Sequence, residues 1–344
     1  MKQISWLSPA LLAISSALCA PTHAANGLET INGIVAGGGT GCGSFAPATE
    51  LAFFSFTPPN VPICGIAASG YSGGYRTQRA TVGPLTQSDA LGPVILGPPA
   101  RMPGSYSGTA HSRASYGSLG AAAHSEINGG LPESNIALFE SVAAATFADT
   151  LTATSPSVAS LSAGSVRYQF QVDGSQSALG APAPFFFGET YMVLDVQQGT
   201  GPVFEVMNAT VRRGGTGRMS GNSPPAGWVT SMGSLAGGST FYSFNLPIVW
   251  GQPWDVKVGL LAWSYGTADS SFLSTARLSG VELFNANGLR VDDFSLRAAS
   301  GTDYVSAVPE PDSWALLLVG LGTVALRARR RGFERPGPTG PQVN

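Results

Sequence analysis

Charge is what this chain most lacks. Only 11% of its 344 residues are Asp, Glu, Lys or Arg, where globular chains carry about 25%. Lysine occurs only at Lys2 and Lys257, and histidine three times. With a net charge of −2 and almost no lysine, the chain has no electrostatic footprint for nucleic acid, so that class of partner is excluded. The composition also argues against a helix bundle, because its solvent face needs Glu, Lys and Arg at helical spacing. Three cysteines are too few for a cysteine-rich metal centre. What abounds is glycine (45) and proline (25), about a fifth of the chain and below the ~25–30% of a disordered polymer. A Gly/Ser/Thr-rich β protein remains.

The two ends read as targeting segments. Lys2, the apolar stretch Leu7–Leu18 and Thr22-His23-Ala24 form a secretory signal over residues 1–24, cleaved after Ala24. The apolar stretch is shorter than the ~20 residues of a membrane span. Cys19 follows Leu18, where lipidation needs a small residue, and leaves with the signal. At the other end Val308-Pro309-Glu310-Pro311 leads into Asp312-Ser313-Trp314, the apolar run Ala315–Leu326, and Arg327, Arg329, Arg330 and Arg331. The prolines forbid helix up to Pro311 and let one begin just after it. Trp314 stands where an interfacial aromatic belongs, and the arginines where cytoplasmic anchors belong. The apolar core alone reaches about 18 Å against a ~30 Å bilayer, so flanking residues and snorkelling arginines complete a single transmembrane helix.

This C-terminal segment resembles the PEP-CTERM sorting signal. The resemblance covers about 24 residues, 308–331. It implies recognition by an exosortase, a membrane protease or transpeptidase of Gram-negative bacteria whose hosts make extracellular polysaccharide. Val308, Pro309, Glu310 and Pro311 would be the recognition element, and Arg327, Arg329, Arg330 and Arg331 the retention signal. Such proteins usually stop at the arginines, whereas here residues 332–344 add a Gly/Pro-rich tail, expected to be disordered. The stretch from Thr275 through Asn287-Gly288 to Ser300-Gly301-Thr302-Asp303-Tyr304 also resembles, more loosely, the last strands before such tails.

The body, residues 25–307, carries twelve basic and seventeen acidic side chains, near −5, and would not hold anionic lipid or acidic polysaccharide by charge alone. Cys42 and Cys64 are the two cysteines it retains, and in an oxidising compartment they are expected to form a disulfide. Closing that loop would be worth ~3 kcal/mol. Period-2 alternation predicts strands over Val166–Val172, Tyr191–Val196, Val203–Val211, Phe241–Trp250, Val256–Trp263, Leu278–Phe284 and Leu289–Leu296. Asn285-Ala286-Asn287-Gly288 is the best hairpin signal. Ala137–Thr154 reads either as a strand pair or as an alanine-assisted helix around Val142–Ala148, with Thr150-Leu151-Thr152 favouring strands. Many short strands without helices between them predict an all-β fold, a jelly-roll-like β-sandwich.

Candidate chemistry is thin. Gly70-Tyr71-Ser72-Gly73-Gly74 matches the hydrolase elbow G-x-S-x-G, and Asp89 followed by His111 or His124 has the triad order, but no helix pattern follows. A glycine-rich turn is the weightier reading. His111, His124 and Glu126 are the one cluster with conceivable metal ligands, yet zinc needs a third and usually a fourth. Calcium stays open because Asp, Asn and carbonyls suffice, although no D-x-[DN]-x-[DN]-G loop occurs. Asp173-Gly174 and Asp292-Asp293 read as turns. Gly37–Gly41 lacks the Lys-Ser/Thr ending of a phosphate loop. Trp228, Trp250, Trp254 and Trp263 are the residues a sugar platform would use. Trp250 and Trp254 share a parity that Pro253 interrupts, and core packing is the weightier reading. No catalytic residue, resident metal or cofactor is assigned. The expectation is a non-enzymatic exported protein, sorted by an exosortase to the cell surface or to an exopolysaccharide or biofilm matrix. A carbohydrate-binding or adhesin module and a polysaccharide-active enzyme are the alternatives.

Overall fold

The computed structural model describes residues 27–38, 42–43, 49–54, 63–64, 71–95, 104–129, 137–178, 188–212, 218–221, 232–234 and 239–305. The signal peptide, the sorting segment 308–331 and the tail 332–344 lie outside them. In chain order the strands are β1 (Gly27–Gly38), β2 (Cys42–Gly43), β3 (Ile63–Cys64), β4 (Tyr71–Ala80), β5 (Leu85–Ile95), β6 (Gly104–Ser115), β7 (Ser118–Gly129), β8 (Ala137–Thr154), β9 (Ala163–Val172) and β10 (Ser175–Ala178). There follow β11 (Glu189–Gln198), β12 (Val203–Arg212), β13 (Arg218–Gly221), β14 (Met232–Ser234), β15 (Ser239–Tyr242), β16 (Leu246–Val249), β17 (Pro253–Tyr265), β18 (Ala268–Asn285), β19 (Arg290–Val291) and β20 (Ser295–Ala298). A 3-10 turn over Thr49–Phe54 is the one helical piece among the described residues. The fold is all-β.

Two large antiparallel sheets carry it. The first runs β13-β12-β11-β17-β8-β1-β4, with β20 on β8; the second runs β14-β10-β18-β7-β6-β5, with β9 and β19 on β18, and β15 and β16 on β9. One buried core draws on both: Phe147, Leu151, Leu194, Val258 and Leu260 from the first sheet, and Tyr106, Tyr168, Phe170, Phe272 and Leu283 from the second. Strand alternation delivers these residues to a common face. In β9 the alternation is visible in sequence, since Val166, Tyr168, Phe170 and Val172 are buried and the residues between them are not.

A second cluster covers the opposite face of the first sheet, where Leu51 and Phe54 of the 3-10 turn pack on Ile31, Val142, Ala144, Leu261 and Trp263. Residues 140–147 of β8 and 258–264 of β17 are thus buried on both faces. That explains the alanine run 143–145: small side chains let a central strand be covered on both sides, and the stretch is one 18-residue strand, neither a helix nor a strand pair. Two other expectations change at their ends. Phe241–Trp250 is interrupted at Ser243, whose Oγ accepts from the Tyr168 amide, so it forms β15 and β16 rather than one strand. Leu289–Leu296 is reduced to β19 and the start of β20, because Asp292 and Asp293 turn the chain between them. The hairpin over Asn285–Gly288 is present, closed by the Asn285 amide on the Leu289 carbonyl, with Gly288 at φ +75°.

At the end of the core bounded by β1, β5 and β6 the filling is polar. Asn32 donates to the Ala110 carbonyl at 2.9 Å and to Asp89 at 3.0 Å, and accepts from Ser112 at 2.7 Å. Gln87 donates to Asp89 at 2.8 Å and accepts from Thr30 at 3.1 Å. Satisfied in this way, these buried groups fix the register of the two sheets instead of penalising it.

Pairing between β7 and β18 depends on Gly120. The register slips between Phe272 and Ala276, and a Cβ on Gly120 would collide with the Leu273 backbone carbonyl. A glycine at a bulge is required for such a close approach. Gly120→Ala should cost stability near the upper end of the ~1–3 kcal/mol of overpacking substitutions, read as a lowered midpoint in thermal or urea unfolding.

Candidate functional site

The residues singled out by the sequence do not assemble a catalytic centre. Ser72 is the second residue of β4, opposite Ala36 of β1, and the strand continues beyond it to Ala80, so no turn into a helix follows it. Asp89 and His111 sit on neighbouring strands but on opposite faces. Asp89 points to the inner network and pairs with Arg76 at 3.1 Å, while His111 bonds Ser88 on the outer face at 2.9 Å. His124 and Glu126 share that outer face with His111, and His124 Nδ1 lies 3.4 Å from Asp269. That hydrogen bond raises the His124 pKa. Among the described residues no group of three or more His, Cys, Asp or Glu side chains could hold a metal ion. Asp293 accepts from Ser155 and Ser157, and Asp292 from Arg290. Gly37 and Gly38 are ordinary ladder residues of β1, paired with Leu138 and Ala137.

The tryptophans are core. Trp250 and Trp263 are 1% and 2% exposed, and Trp254 is 9% exposed. Trp254 donates to the Tyr168 hydroxyl at 3.0 Å. Pro253 opens β17 instead of interrupting a strand, which is where a proline without an N–H is tolerated. Trp228 lies outside the described residues.

Three arrangements were not foreseen from sequence. The first is an aromatic row on the outer face of the first sheet. There buried Glu140 accepts from Trp263 Nε1 at 2.9 Å and from the Tyr75 hydroxyl at 3.0 Å. Burial raises the Glu140 pKa and these two bonds oppose the rise. Register places Tyr265 between Glu140 and Glu189, and Tyr191 donates to Glu189. Burial, then the two carboxylate charges, push Tyr265 up to about 12. Trp263 packs against both Tyr191 and Tyr265, with ring centroids 5.1 and 5.7 Å away. The second is Asp195, on the same face opposite Gly259, where Phe53 and Phe54 fill the space a Cβ would take. Among the described residues its Oδ1 has no hydrogen-bond partner. Burial, helped by the Glu205 charge, lifts its pKa to about 8.

The third arrangement ties down the end of the body. Asp149 is on the core face of β8 between Phe147 and Leu151 and is 1% exposed. Its Oδ1 accepts from the amides of Thr150 at 2.9 Å and Ser300 at 3.0 Å. Its Oδ2 accepts from the Ser300 hydroxyl and, at 2.7 Å, from the Tyr304 hydroxyl. Tyr304 is buried, stacked on Phe147 with centroids 6.3 Å apart. Burial, and then the Asp149 charge, raise the tyrosine pKa, so the hydroxyl keeps its proton and donates. Upstream, β20 extends the ladder on β8, and the Ala299 amide bonds the Thr150 carbonyl at 2.8 Å. A shallow groove of about 450 Å³ lies beside this segment, with Leu296, Arg297, Thr302 and Val305 in its lining.

Asp195 yields a pH test. Its folded pKa lies above the unfolded value of about 4, so the native state holds a proton that the unfolded chain has released between about pH 4 and pH 8. Stability from this group is therefore full below pH 4 and is lost as pH rises through about 8. Asp195→Asn should flatten that decline and raise the melting temperature at pH 8, measured by thermal unfolding across the range.

No curated protein matches the chain, and no solved structure matches it. Among the described residues no helix is long and apolar enough to cross a membrane. Residues 307–331 match the family model of the PEP-CTERM protein-sorting motif, beginning two residues after Val305, the last residue of the tied segment. The motif implies an exosortase as processing partner, with export and a membrane-anchored sorting signal before delivery to the surface. The chain is a β-sheet protein carrying a PEP-CTERM sorting motif.

Proposed function

We propose that this protein is a non-enzymatic ectodomain of the bacterial cell envelope or extracellular matrix, a jelly-roll-like β-sandwich over residues 25–307 delivered by its sorting motif. In this reading residues 1–24 direct export and are removed after Ala24. The segment then crosses the inner membrane through Ala315–Leu326. Val308, Pro309, Glu310 and Pro311 are read by the exosortase, and Arg327, Arg329, Arg330 and Arg331 hold the anchor on the cytoplasmic side until it is cut. The observation that carries the reading is the motif match over residues 307–331, directly after a β-rich body. Deleting Val308–Arg331 should abolish membrane retention of the precursor and surface delivery, followed by fractionation and surface labelling. Unchanged retention and delivery would sink the reading.

The non-enzymatic part is supported by the placement of Asp89 and His111 on opposite faces of β5 and β6 and by the engagement of Glu140 with Trp263 and Tyr75. A sugar-binding module is the second reading, favoured by the half-buried row of Tyr75, Tyr191 and Tyr265. Glycan-array binding that disappears in Tyr265→Ala would support it, and no binding by the full chain would count against it.

A Cys42–Cys64 disulfide belongs to the same proposal, since an exported chain meets an oxidising compartment. Its support is the pairing of β2 with β3, which sets Cys42 directly opposite Cys64 in the backbone register. The protein purified from its export compartment should lack free thiols until reduced. Reduction should lower stability by ~3 kcal/mol, and free thiols in the unreduced chain would refute the bond.

A further inference from the structure

We infer that the Asp149–Ser300–Tyr304 clasp restrains processing of the sorting motif, with Asp149, Ser300 and Tyr304 as positioning residues that withhold residues 299–305 from the exosortase. The inference rests on the exosortase reading above and adds a device within the body that controls it. Only Val305, Ser306, Ala307 and Val308 separate Tyr304 from Pro309. Fully extended, that tether spans at most about 18 Å. A compact body of this size has a radius of gyration of about 19 Å. The recognition element is therefore held closer to the body than the body's own radius.

Proteins that capture an extended peptide pair with its backbone over several residues. Residues upstream of Pro309 are poorly placed for this. The Ala299 amide is already bonded to Thr150, the Ser300 amide and hydroxyl to Asp149, and Tyr304 is buried against Phe147. Gly117, in the β6–β7 turn, lies beneath the Tyr304 ring, where a Cβ would come within 3.3 Å, so the ring is seated in a fitted site. To free this stretch the clasp must open, and cleavage of a locally opened segment follows the population of the open form when opening is fast. Tyr304 supplies the bond most easily removed without disturbing the core. Loss of one hydrogen bond to a charged acceptor raises an open population roughly tenfold or more.

The test uses the full-length chain expressed with the exosortase of its own host, following the processed fraction in a pulse-chase. Tyr304→Phe should be processed roughly tenfold faster than wild type. Ser300→Ala serves as a second clasp variant should Tyr304→Phe unfold the body. Inserting about six Gly/Ser residues between Val305 and Ser306 adds free chain outside an intact clasp and should also speed processing. In that lengthened chain Tyr304→Phe should add nothing, an outcome that a merely structural role for Tyr304 would not produce. Hydrogen exchange on the full chain should find the amides of Ala299 and Ser300 protected in wild type and faster in Tyr304→Phe. The inference is overturned if those amides are unprotected in wild type. It is equally overturned if the clasp variants are processed at the wild-type rate, or if their effect persists undiminished in the lengthened chain. Failure of the sorting reading looks different: Glu310→Ala would then be processed like wild type, whatever the clasp variants do.

Discussion

A carboxylate on the core face of a central strand is the constraint from which much of this molecule follows. Asp149 projects from β8 between Phe147 and Leu151 into the space shared by the two sheets. Burying a charge there costs several kcal/mol unless donors surround it. One donor is local, the Thr150 amide; the rest come from Ser300 and Tyr304, about 150 residues along the chain. The last described segment is therefore drawn into the fold by the unmet demand of a buried group. β20 then completes the edge of β8 beyond the end of β1, and Phe147 gains an aromatic partner in Tyr304.

The same strand explains how a chain so poor in charge builds its layers. β8 contributes Phe147 to the shared core, Ala144 to the cluster beneath the 3-10 turn, and Glu140 to the aromatic row. With both faces of much of β8 and β17 covered, long stretches carry no charge because they meet no water. On the outer face of the second sheet, Ser88, Ser107, Thr109, Ser175 and Ser271 present hydroxyls where another protein would present lysine and glutamate. One ion pair, Arg167 with Glu282 at 2.5 Å, is also backed by rings: Arg167 lies 5.2 Å from the centres of both Tyr242 and Phe284.

Where a strand has one wet face, its sequence announced it. β9 and β12 stand close to where alternation puts them, and the Asn285–Gly288 turn closes the hairpin that its residues demand. Where both faces are dry, the signal fades. Val142–Ala148 admits a helix as well as a strand, with only the Thr150-Leu151-Thr152 continuation favouring the strand, until β17 and β1 are seen on either side of it. The split of Phe241–Trp250 was equally hidden, because it follows from a bond between Ser243 and Tyr168, which no local pattern encodes. The tryptophans show the same limit: composition marks them as candidates for a surface platform, and only packing decides that Trp250, Trp254 and Trp263 are interior. The buried groups Asp149, Glu140 and Asp195 were invisible for a related reason, since an acid reads as surface until its neighbours are known.

The sequence by itself determined what is local and linear: the sorting motif, whose residue order is its meaning, and the all-β class. A motif defined by residue order needs no fold to be legible. Tertiary structure decided everything that depends on two distant segments meeting. It set Asp89 and His111 on opposite faces of the second sheet, buried the tryptophans, and joined Asp149 to Tyr304. Strand parity and burial are properties of the assembled sheets, and they alone decide whether a polar side chain faces water, a partner or the core.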